Sequence, residues 1–317
     1  MLVRVIHLGV QTWGTDVSAL RRYWRRADEL GYTRITYGDG LWPWTHDGWT
    51  MLGALAAGTH TARIGPAVTY AFDAAAHHPS WLAKRAVTVD HLSQGRLDVR
   101  LAVGAEDRGA AAWWRSHDIA YPSARERIAA VEETITILRR LWAGDAVDHV
   151  GARYRLAGAR VAPPPVQRPG PPLWVAAVGA RAMDMTARCA DGWEASFLSV
   201  SAFAAAWERM RRLLARHGRS PDSLRRSIEV DVVLTPSRAE TAAAVRAFGG
   251  ARRLAVDHPV VGAALIGDAD TLAARIAAYA EADATDLTLG FSDFPCTAML
   301  EAFATRVLGA LRHTPAP

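Results

Sequence analysis

Short runs of apolar residues alternate with amphipathic helical patterns along almost the whole chain of 317 residues. In residues 97–103 every second side chain is apolar and the run ends at a glycine, a pattern typical of a strand. In residues 128–142 the apolar side chains recur at steps of three and four, which places them on one stripe of a helix. This alternation predicts repeated βα units and a parallel sheet.

Eight strands are predicted, at residues 3–11, 33–38, 63–69, 97–103, 173–178, 193–198, 227–235 and 286–291. Eight βα units favour a closed TIM (β/α)8 barrel over an open sheet, and we expect residues 1–317 to form one domain. We expect two insertions, a small hairpin at residues 147–158 and a long loop at residues 104–123 after the fourth strand. A helix spanning residues 300–311 is predicted to end the barrel.

The net charge and the two cysteines limit the kinds of binding partner that we expect for this protein. The formal net charge is +5, but the arginines stand beside acidic residues on helical faces, and no nucleic-acid-binding motif accompanies them. We therefore expect no nucleic acid partner. Cys189 and Cys296 lie far apart and in no metal-binding spacing, so a reducing cytoplasm and no metal are expected.

Membrane segments and a leader peptide are not expected either. Charged residues or histidines interrupt every apolar stretch within about a dozen residues, well short of the roughly 20 that span a bilayer. The first ten residues are apolar but carry Arg4 and His7 and have no cleavage site, so we interpret them as the first strand.

Two pairs of charges fall on alternate strand positions, where a barrel interior or a helix layer should be dry. They are Asp98 with Arg100, and Glu229 with Asp231. The sequence leaves open whether they pair across the barrel.

In a parallel barrel the ligand site lies at the carboxyl ends of the strands. The residues expected there are rich in aromatic rings, which suit a flat tricyclic cofactor better than a sugar phosphate. We predict a substrate pocket formed by Gln11, Trp13, Trp42, Tyr70 and Phe291. The alternative for each tryptophan is that it simply packs the barrel opening.

Four segments together resemble the luciferase-like, flavin-dependent oxidoreductases, including their coenzyme F420-dependent members. They are ADELGY at residues 27–32, HPSWLAK at 78–84, VDHLSQGRL at 89–97 and PPLWVAAVGAR at 171–181. Their order along the chain is that of the family. The resemblance implies a TIM barrel, in agreement with the eight predicted βα units.

The resemblance also implies a cofactor site. At residues 178–181 a strand leads through a glycine directly into a helix, whose free N–H groups can hold a phosphate. Relatives carry a cis peptide in the third strand that matches Ala67 and Val68. The predicted cofactor-binding residues are Asp39, Ala67, Val68, Thr69, Gly104, Ala105, Ala177, Val178, Gly179, Ala180 and Arg181.

Asp39 and Trp44 match the second-strand motif of F420-dependent relatives, but the histidine of that motif is replaced by Gly40. Glycine cannot exchange a proton, so acid–base chemistry would fall to other groups. The predicted catalytic residues are Trp44, Glu106, His46 and His78. For His78 the alternative is a structural cap, because it precedes a proline at a helix start; for Glu106 it is a solvated loop carboxylate.

The preferred hypothesis is a monooxygenase that uses reduced FMN and oxygen on a small apolar or aromatic molecule. The alternative is an oxidoreductase that transfers a hydride with coenzyme F420. A third hypothesis, permitted by Gly40, is a flavin-binding barrel without catalysis. A barrel lyase or isomerase is disfavoured because Lys84, the only lysine, lies on a predicted outer helix. A flavin reductase and a second copy of the chain, as a homodimer, are the expected protein partners.

Overall fold

All eight predicted barrel strands form in the computed structural model, which describes residues 6–105 and 108–309. The third strand is divided into two short pieces, and three further strands lie outside the barrel ring. The strands are β1 (His7–Thr12), β2 (Arg34–Tyr37), β3 (Arg63–Pro66), β4 (Thr69–Tyr70), β5 (Val99–Ala102), β6 (Val147–Val150), β7 (Arg155–Ala159), β8 (Leu173–Ala176), β9 (Gly192–Ser196), β10 (Arg225–Leu234), β11 (Leu265–Gly267) and β12 (Asp286–Phe291).

The barrel strands are all parallel, in the order β3-β2-β1-β12-β10-β9-β8-β5-β4. The ring closes where Ile64 of β3 forms a bridge with Leu97, just before β5. There the Ile64 amide donates to the Arg96 carbonyl at 2.9 Å, and the Asp98 amide donates to the Ile64 carbonyl at 2.8 Å. The predicted closed TIM barrel is confirmed.

Helices cover the outside of the ring, because the outward side chains of the strands are apolar. The best defined start is that of α5, where Ser123 and Glu126 cap each other's backbone N–H groups. The helices are α1 (Val17–Glu29), α2 (Gly48–Gly58), α3 (Pro79–Leu92), α4 (Arg108–Ser116), α5 (Ala124–Trp142), α6 (Ala180–Cys189), α7 (Val200–Arg216), α8 (Thr241–Ala251), α9 (Pro259–Ala263), α10 (Ala269–Glu281) and α11 (Ala298–Phe303).

Three regions differ from or refine the sequence-based expectation. The hairpin is confirmed as β6 and β7, but the long loop contains helix α4. The strand β11 was not predicted, because it is only three residues long and pairs only with the end of β10. The C-terminal helix α11 passes into a π-helical turn at Ala304–Leu308, and residues 310–317 lie outside the described part.

Charged side chains fill the amino-terminal end of the barrel. The Arg34 guanidinium lies 3.0 Å from Asp98 and 3.2 Å from Asp286, and all three side chains are at most 2% exposed. Arg63 and Arg225 also contact these carboxylates, at 2.6 Å in each case. Each of these three buried charges is therefore paired, as a dry interior requires.

A second pair lies one layer higher. Arg100 contacts Glu194, and the Thr288 hydroxyl donates to Glu194 Oε2 at 3.1 Å. The Trp174 ring packs beneath, 4.4 Å from the Arg34 guanidinium and 5.3 Å from that of Arg100. Asp98 and Arg100 therefore pair across the barrel with other strands.

Among the helices of the described residues, none combines the length and the hydropathy that a membrane span needs.

Replacing Asp98 by alanine should leave Arg34 buried beside a single carboxylate. We expect a loss of about 3–5 kcal/mol in the free energy of unfolding, measured by urea denaturation near neutral pH. Glu208→Ala is the matched control, because its pairs with Arg211 and Arg212 are exposed and should contribute less than about 1 kcal/mol.

Wild type and Asp98→Ala also test how the free energy of unfolding depends on pH. Burial raises the pKa of Asp98, but Arg34 and Arg63 outweigh burial and bring it below the ordinary value. Its stabilising contribution is therefore present above the ordinary carboxyl pKa and is lost as the pH falls through the lowered value. The stability gap between wild type and Asp98→Ala should narrow in acid; a gap that is constant with pH would contradict this account.

Candidate active site

The carboxyl ends of the strands form an opening, here called the mouth, and Asp39 is its most enclosed carboxyl group. It lies two residues after the end of β2 and is 4% exposed. The Thr69 hydroxyl donates to Asp39 Oδ2 at 2.6 Å, and the Trp49 indole N–H donates to the Thr69 hydroxyl at 2.9 Å. This chain of hydrogen bonds fixes the orientation of the carboxyl group.

Burial raises the pKa of Asp39 above the ordinary carboxyl value. His77 and the Thr69 hydroxyl act in the opposite direction, while Asp47 adds a further increase. A carboxyl group whose neutral form is favoured in this way is suited to give or take a proton.

Gly40, next to Asp39, has a positive φ of 141°. A Cβ atom built there would lie 2.9 Å from the indole nitrogen of Trp42. Both the backbone conformation and the space therefore exclude a side chain at this position unless Trp42 moves. The histidine expected from the resemblance has no room here.

Five aromatic side chains form one side of the mouth, which we call the aromatic wall: Trp42, Trp44, Tyr70, Trp113 and Trp114. Trp42 is stacked between Trp44 and Trp113, with ring centroids 5.3 and 5.5 Å apart. Trp44 is 53% exposed, so its outer face is open to a ligand. Burial raises the pKa of Tyr70 to about 12, so its hydroxyl stays protonated at neutral pH.

The segment after β5 is fixed to helix α5 and to the loop before it. The Tyr121 hydroxyl donates to the Ala105 carbonyl at 2.6 Å, and Arg127 donates to the Val103 and Ala105 carbonyls at 2.7 and 3.2 Å. Gly104 has φ +76°, and a Cβ there would lie 2.7 Å from the Tyr121 oxygen. Glu106 lies outside the described residues.

Two carboxyl groups of β10 point into the mouth, and sequence analysis did not assign them to the site. Glu229 accepts a hydrogen bond from the Ser196 hydroxyl at 2.9 Å, and Gln11 also hydrogen-bonds to it. Asp231 lies 3.2 Å from the Arg252 guanidinium. Burial is the main cause that raises the pKa of both carboxyl groups. Their alternation along β10 was the available signal.

The turn before α6 has the properties of a phosphate-binding site. Gly179 is the N-cap of the helix and makes no side-chain cap hydrogen bond, and a Cβ atom on it would meet nothing within 4 Å. Val178 is 59% exposed, and Ala180 and Arg181 are exposed too. The predicted cofactor-binding residue Ala177 is buried, unlike its three successors, and its carbonyl accepts the Trp193 indole N–H at 2.6 Å.

The two predicted catalytic histidines have structural contacts. His78 Nδ1 accepts the Ser80 amide at 3.2 Å as the N-cap of α3. His46 is exposed, and its Nε2 lies 2.9 Å from the Thr15 carbonyl. The imidazole beside Asp39 belongs instead to His77, whose Nε2 lies 4.0 Å from Asp39 Oδ2. Its neighbour His78 matched a family motif, whereas nothing in the sequence marked His77.

Phe291 does not belong to the substrate pocket. It is 1% exposed and its ring packs edge-on against Tyr32 and Phe303, outside the barrel. Asp286 and Thr288 of the same strand face inward, so Phe291 must face outward. Trp13 does lie at the mouth, against the ring of Phe294 at 4.9 Å.

The peptide bond between Ala67 and Val68 is cis, at the position suggested by the resemblance. It lies between β3 and β4, immediately before Thr69.

A family model described as luciferase-like monooxygenase matches residues 4–259. The chain belongs to this family. A curated relative, the F420-dependent glucose-6-phosphate dehydrogenase of Microbacterium testaceum, is 33% identical over 174 residues, which are 53% of this chain. The match spans about half (49%) of that relative's length.

Solved structures share the fold of this luciferase-like protein. An F420-dependent secondary alcohol dehydrogenase in complex with an F420-acetone adduct has a TM-score of 0.83 at 16% identity, covering 97% of this chain and 99% of its own. The monooxygenase RslO1 of Streptomyces bottropensis has a TM-score of 0.77 at 23% identity, covering 96% and 99%. At such identities the likeness extends to the fold alone.

Replacing Thr69 by valine in this luciferase-like protein should leave both the Trp49 N–H and the Asp39 carboxylate without their partner. We expect about 1–3 kcal/mol lower stability in urea denaturation. Thr136→Val is the control, because the Thr136 hydroxyl is exposed and bonds only a carbonyl of its own helix. Equal losses in the two variants would show that the Trp49–Thr69–Asp39 chain adds nothing.

Proposed function

We propose that this protein is an F420-dependent oxidoreductase that transfers a hydride between the coenzyme and a small, mainly apolar or aromatic molecule. The observation that carries the proposal is the site around Asp39 and Trp44, in a chain whose curated relatives are named F420-dependent dehydrogenases. These relatives favour the F420 alternative of the sequence analysis over its preferred FMN monooxygenase.

The residues of the mouth fit a phosphorylated deazaflavin. The exposed face of Trp44 and the aromatic wall behind it offer an apolar surface for a flat ring system. The capless turn at Gly179 offers free N–H groups for a phosphate, with open space around its Cα. Val178, Ala180 and Arg181 complete the proposed phosphate site.

When bound, coenzyme F420 supplies a ring carbon that accepts or releases a hydride, with little oxygen chemistry. The aromatic wall would orient the ring and exclude water from one of its faces. The protonated hydroxyl of Tyr70 can donate a hydrogen bond to a substrate oxygen. The buried carboxyl of Asp39 can hold or release the proton that accompanies the hydride.

The carboxyl groups at the mouth also limit the charge of the substrate that we expect. Three carboxyl groups, Asp39, Glu229 and Asp231, lie there, and the arginine nearest to Asp231 is already paired with it. Carboxyl groups offer no counter-charge to a phosphate, whether they are neutral or ionised, so we expect a neutral substrate rather than a sugar phosphate.

Monooxygenase chemistry with FMN is the second candidate, since a monooxygenase of the same fold is among the similar structures. It would need a supply of reduced flavin, whereas an F420 enzyme would not need a flavin reductase. The homodimer and the cytoplasmic location stay predictions.

Titrating the purified protein with F420 and with FMN, each oxidised and reduced, separates the candidates. We expect F420 to quench tryptophan fluorescence at micromolar concentration and its reduced form to be oxidised by a carbonyl substrate without oxygen uptake. Binding of FMN alone, with oxygen consumption when reduced, would establish the second candidate. Binding of neither would remove both.

Gly179→Asp should weaken cofactor binding without harming the fold. Aspartate is a favourable N-cap, so the stability of α6 should be kept. Its charge would oppose the cofactor phosphate, and we expect at least about tenfold weaker F420 binding at low salt, with a smaller effect at high salt. Gly179→Asn, a neutral cap of the same shape, is the matched control. Equal affinities of the two variants would place the phosphate elsewhere.

A further inference from the structure

We propose that His77 and Asp39 act as one proton-exchanging unit, in which His77 is a positioning residue that controls the charge of the Asp39 carboxyl group. The proposal deepens the proposed function, on which it rests. In substrate oxidation the O–H and C–H bonds of an alcohol would break and a C=O bond would form. The hydroxyl proton would pass to the Asp39 carboxylate, while the hydride would pass from the substrate carbon to coenzyme F420. In reduction the Asp39 carboxylic acid would return the proton, and the reduced coenzyme would supply the hydride.

The position of His77 is set by its backbone. Its amide donates to the Asp73 carbonyl at 2.8 Å, in the loop between β4 and α3. The residue is 5% exposed, and its Nε2 lies 4.0 Å from Asp39 Oδ2. At that distance in a buried site, a positive imidazolium favours the ionised form of the carboxyl group.

The other ring nitrogen of His77 distinguishes it from a structural histidine. His77 Nδ1 is buried and has no hydrogen-bond partner among the described residues. An unsatisfied buried polar atom of this kind costs about 1–3 kcal/mol. His78 and His258, by contrast, each use Nδ1 to accept a helix N–H. Packing alone therefore does not account for His77.

The other groups that act on Asp39 do not supply a positive charge that could favour its ionised form. Asp47, at the start of α2, carries a like charge and favours the neutral carboxyl, while the Thr69 hydroxyl and the Gly48 amide favour the carboxylate. Tyr70 stays protonated and adds no charge at neutral pH. Among these described groups, His77 is the one that can supply a positive charge.

The neighbouring position cannot serve instead. Gly40 has no side chain, and the Trp42 indole occupies the space beside it. Glu229 is the rival acid–base group, since it is partly buried at the same mouth with a raised pKa. An experiment must therefore separate an effect through Asp39 from one through Glu229.

The test compares wild type with His77→Gln, and with His77→Asn in case the larger amide prevents folding. The first readout is the ¹³C titration of the Asp39 carboxyl in the protein without cofactor, assigned by its loss in Asp39→Asn. Because His77 lowers the pKa of Asp39, we expect its removal to move the carboxyl titration to higher pH. His60→Gln, an exposed histidine, is the control and should leave the titration unchanged.

The second readout is the pH profile of kcat for substrate oxidation with F420. We expect its acid limb to move to higher pH by the same amount as the Asp39 titration, with KM within about twofold. Glu229→Gln should leave the Asp39 titration in place.

The proposal is overturned if the Asp39 titration is the same with and without His77, or if it moves while the kinetic limb does not. It is also overturned if the limb disappears in Glu229→Gln alone. Absence of turnover with F420 would remove the proposed function, and the carboxyl titration would still decide whether His77 controls Asp39.

Discussion

The structure depends on the neutralisation of charge inside a closed ring of short strands. Arg34 lies between Asp98 and Asp286, each nearly inaccessible to solvent, and the Trp174 ring packs against its guanidinium. Such a group adds little net stability compared with an apolar core, but losing one partner would leave an uncompensated buried charge. These residues therefore tie β2, β5 and β12 to one mutual arrangement, and that arrangement sets the height of the strand ends.

Charge compensation becomes less complete toward the mouth. At the base, two carboxylates share three arginines, and one layer higher Arg100 has Glu194. At the mouth Asp231 still has Arg252, whereas the hydrogen-bond partners of Glu229, Ser196 and Gln11, are uncharged. Burial then raises the pKa of Glu229, and likewise that of Asp39 after β2. The buried charges are neutralised at the amino-terminal end of the barrel and less completely at the mouth. Groups suited to proton exchange are therefore concentrated at the mouth.

Hydrophobic periodicity predicted the eight strands, because in a closed ring the side chains of a strand point alternately to the interior and to the helix layer. The family motifs placed Asp39 and Gly179 at strand ends. The failures have specific causes. Phe291 was assigned to the wrong side of β12, because an aromatic residue at a strand end fits either the mouth or the helix layer until the strand's inward positions are known. His77 was overlooked because its contact with Asp39 crosses from one strand end to another, and such contacts leave no periodic signal. Helix α4 was missed because the glycines and charged residues between positions 104 and 109 are typical of a loop in the sequence.

The exchange at position 40 explains why the contact between His77 and Asp39 matters. A glycine with φ of 141° lets the chain turn so that Trp42 enters the stack between Trp44 and Trp113. The same turn leaves no side chain at position 40 itself that could exchange a proton with Asp39. A wider aromatic surface and an adjacent imidazole on one loop therefore exclude each other, because both need the space next to Cα of Gly40. An imidazole delivered from the loop before α3 satisfies both demands, since it approaches Asp39 from a different strand end.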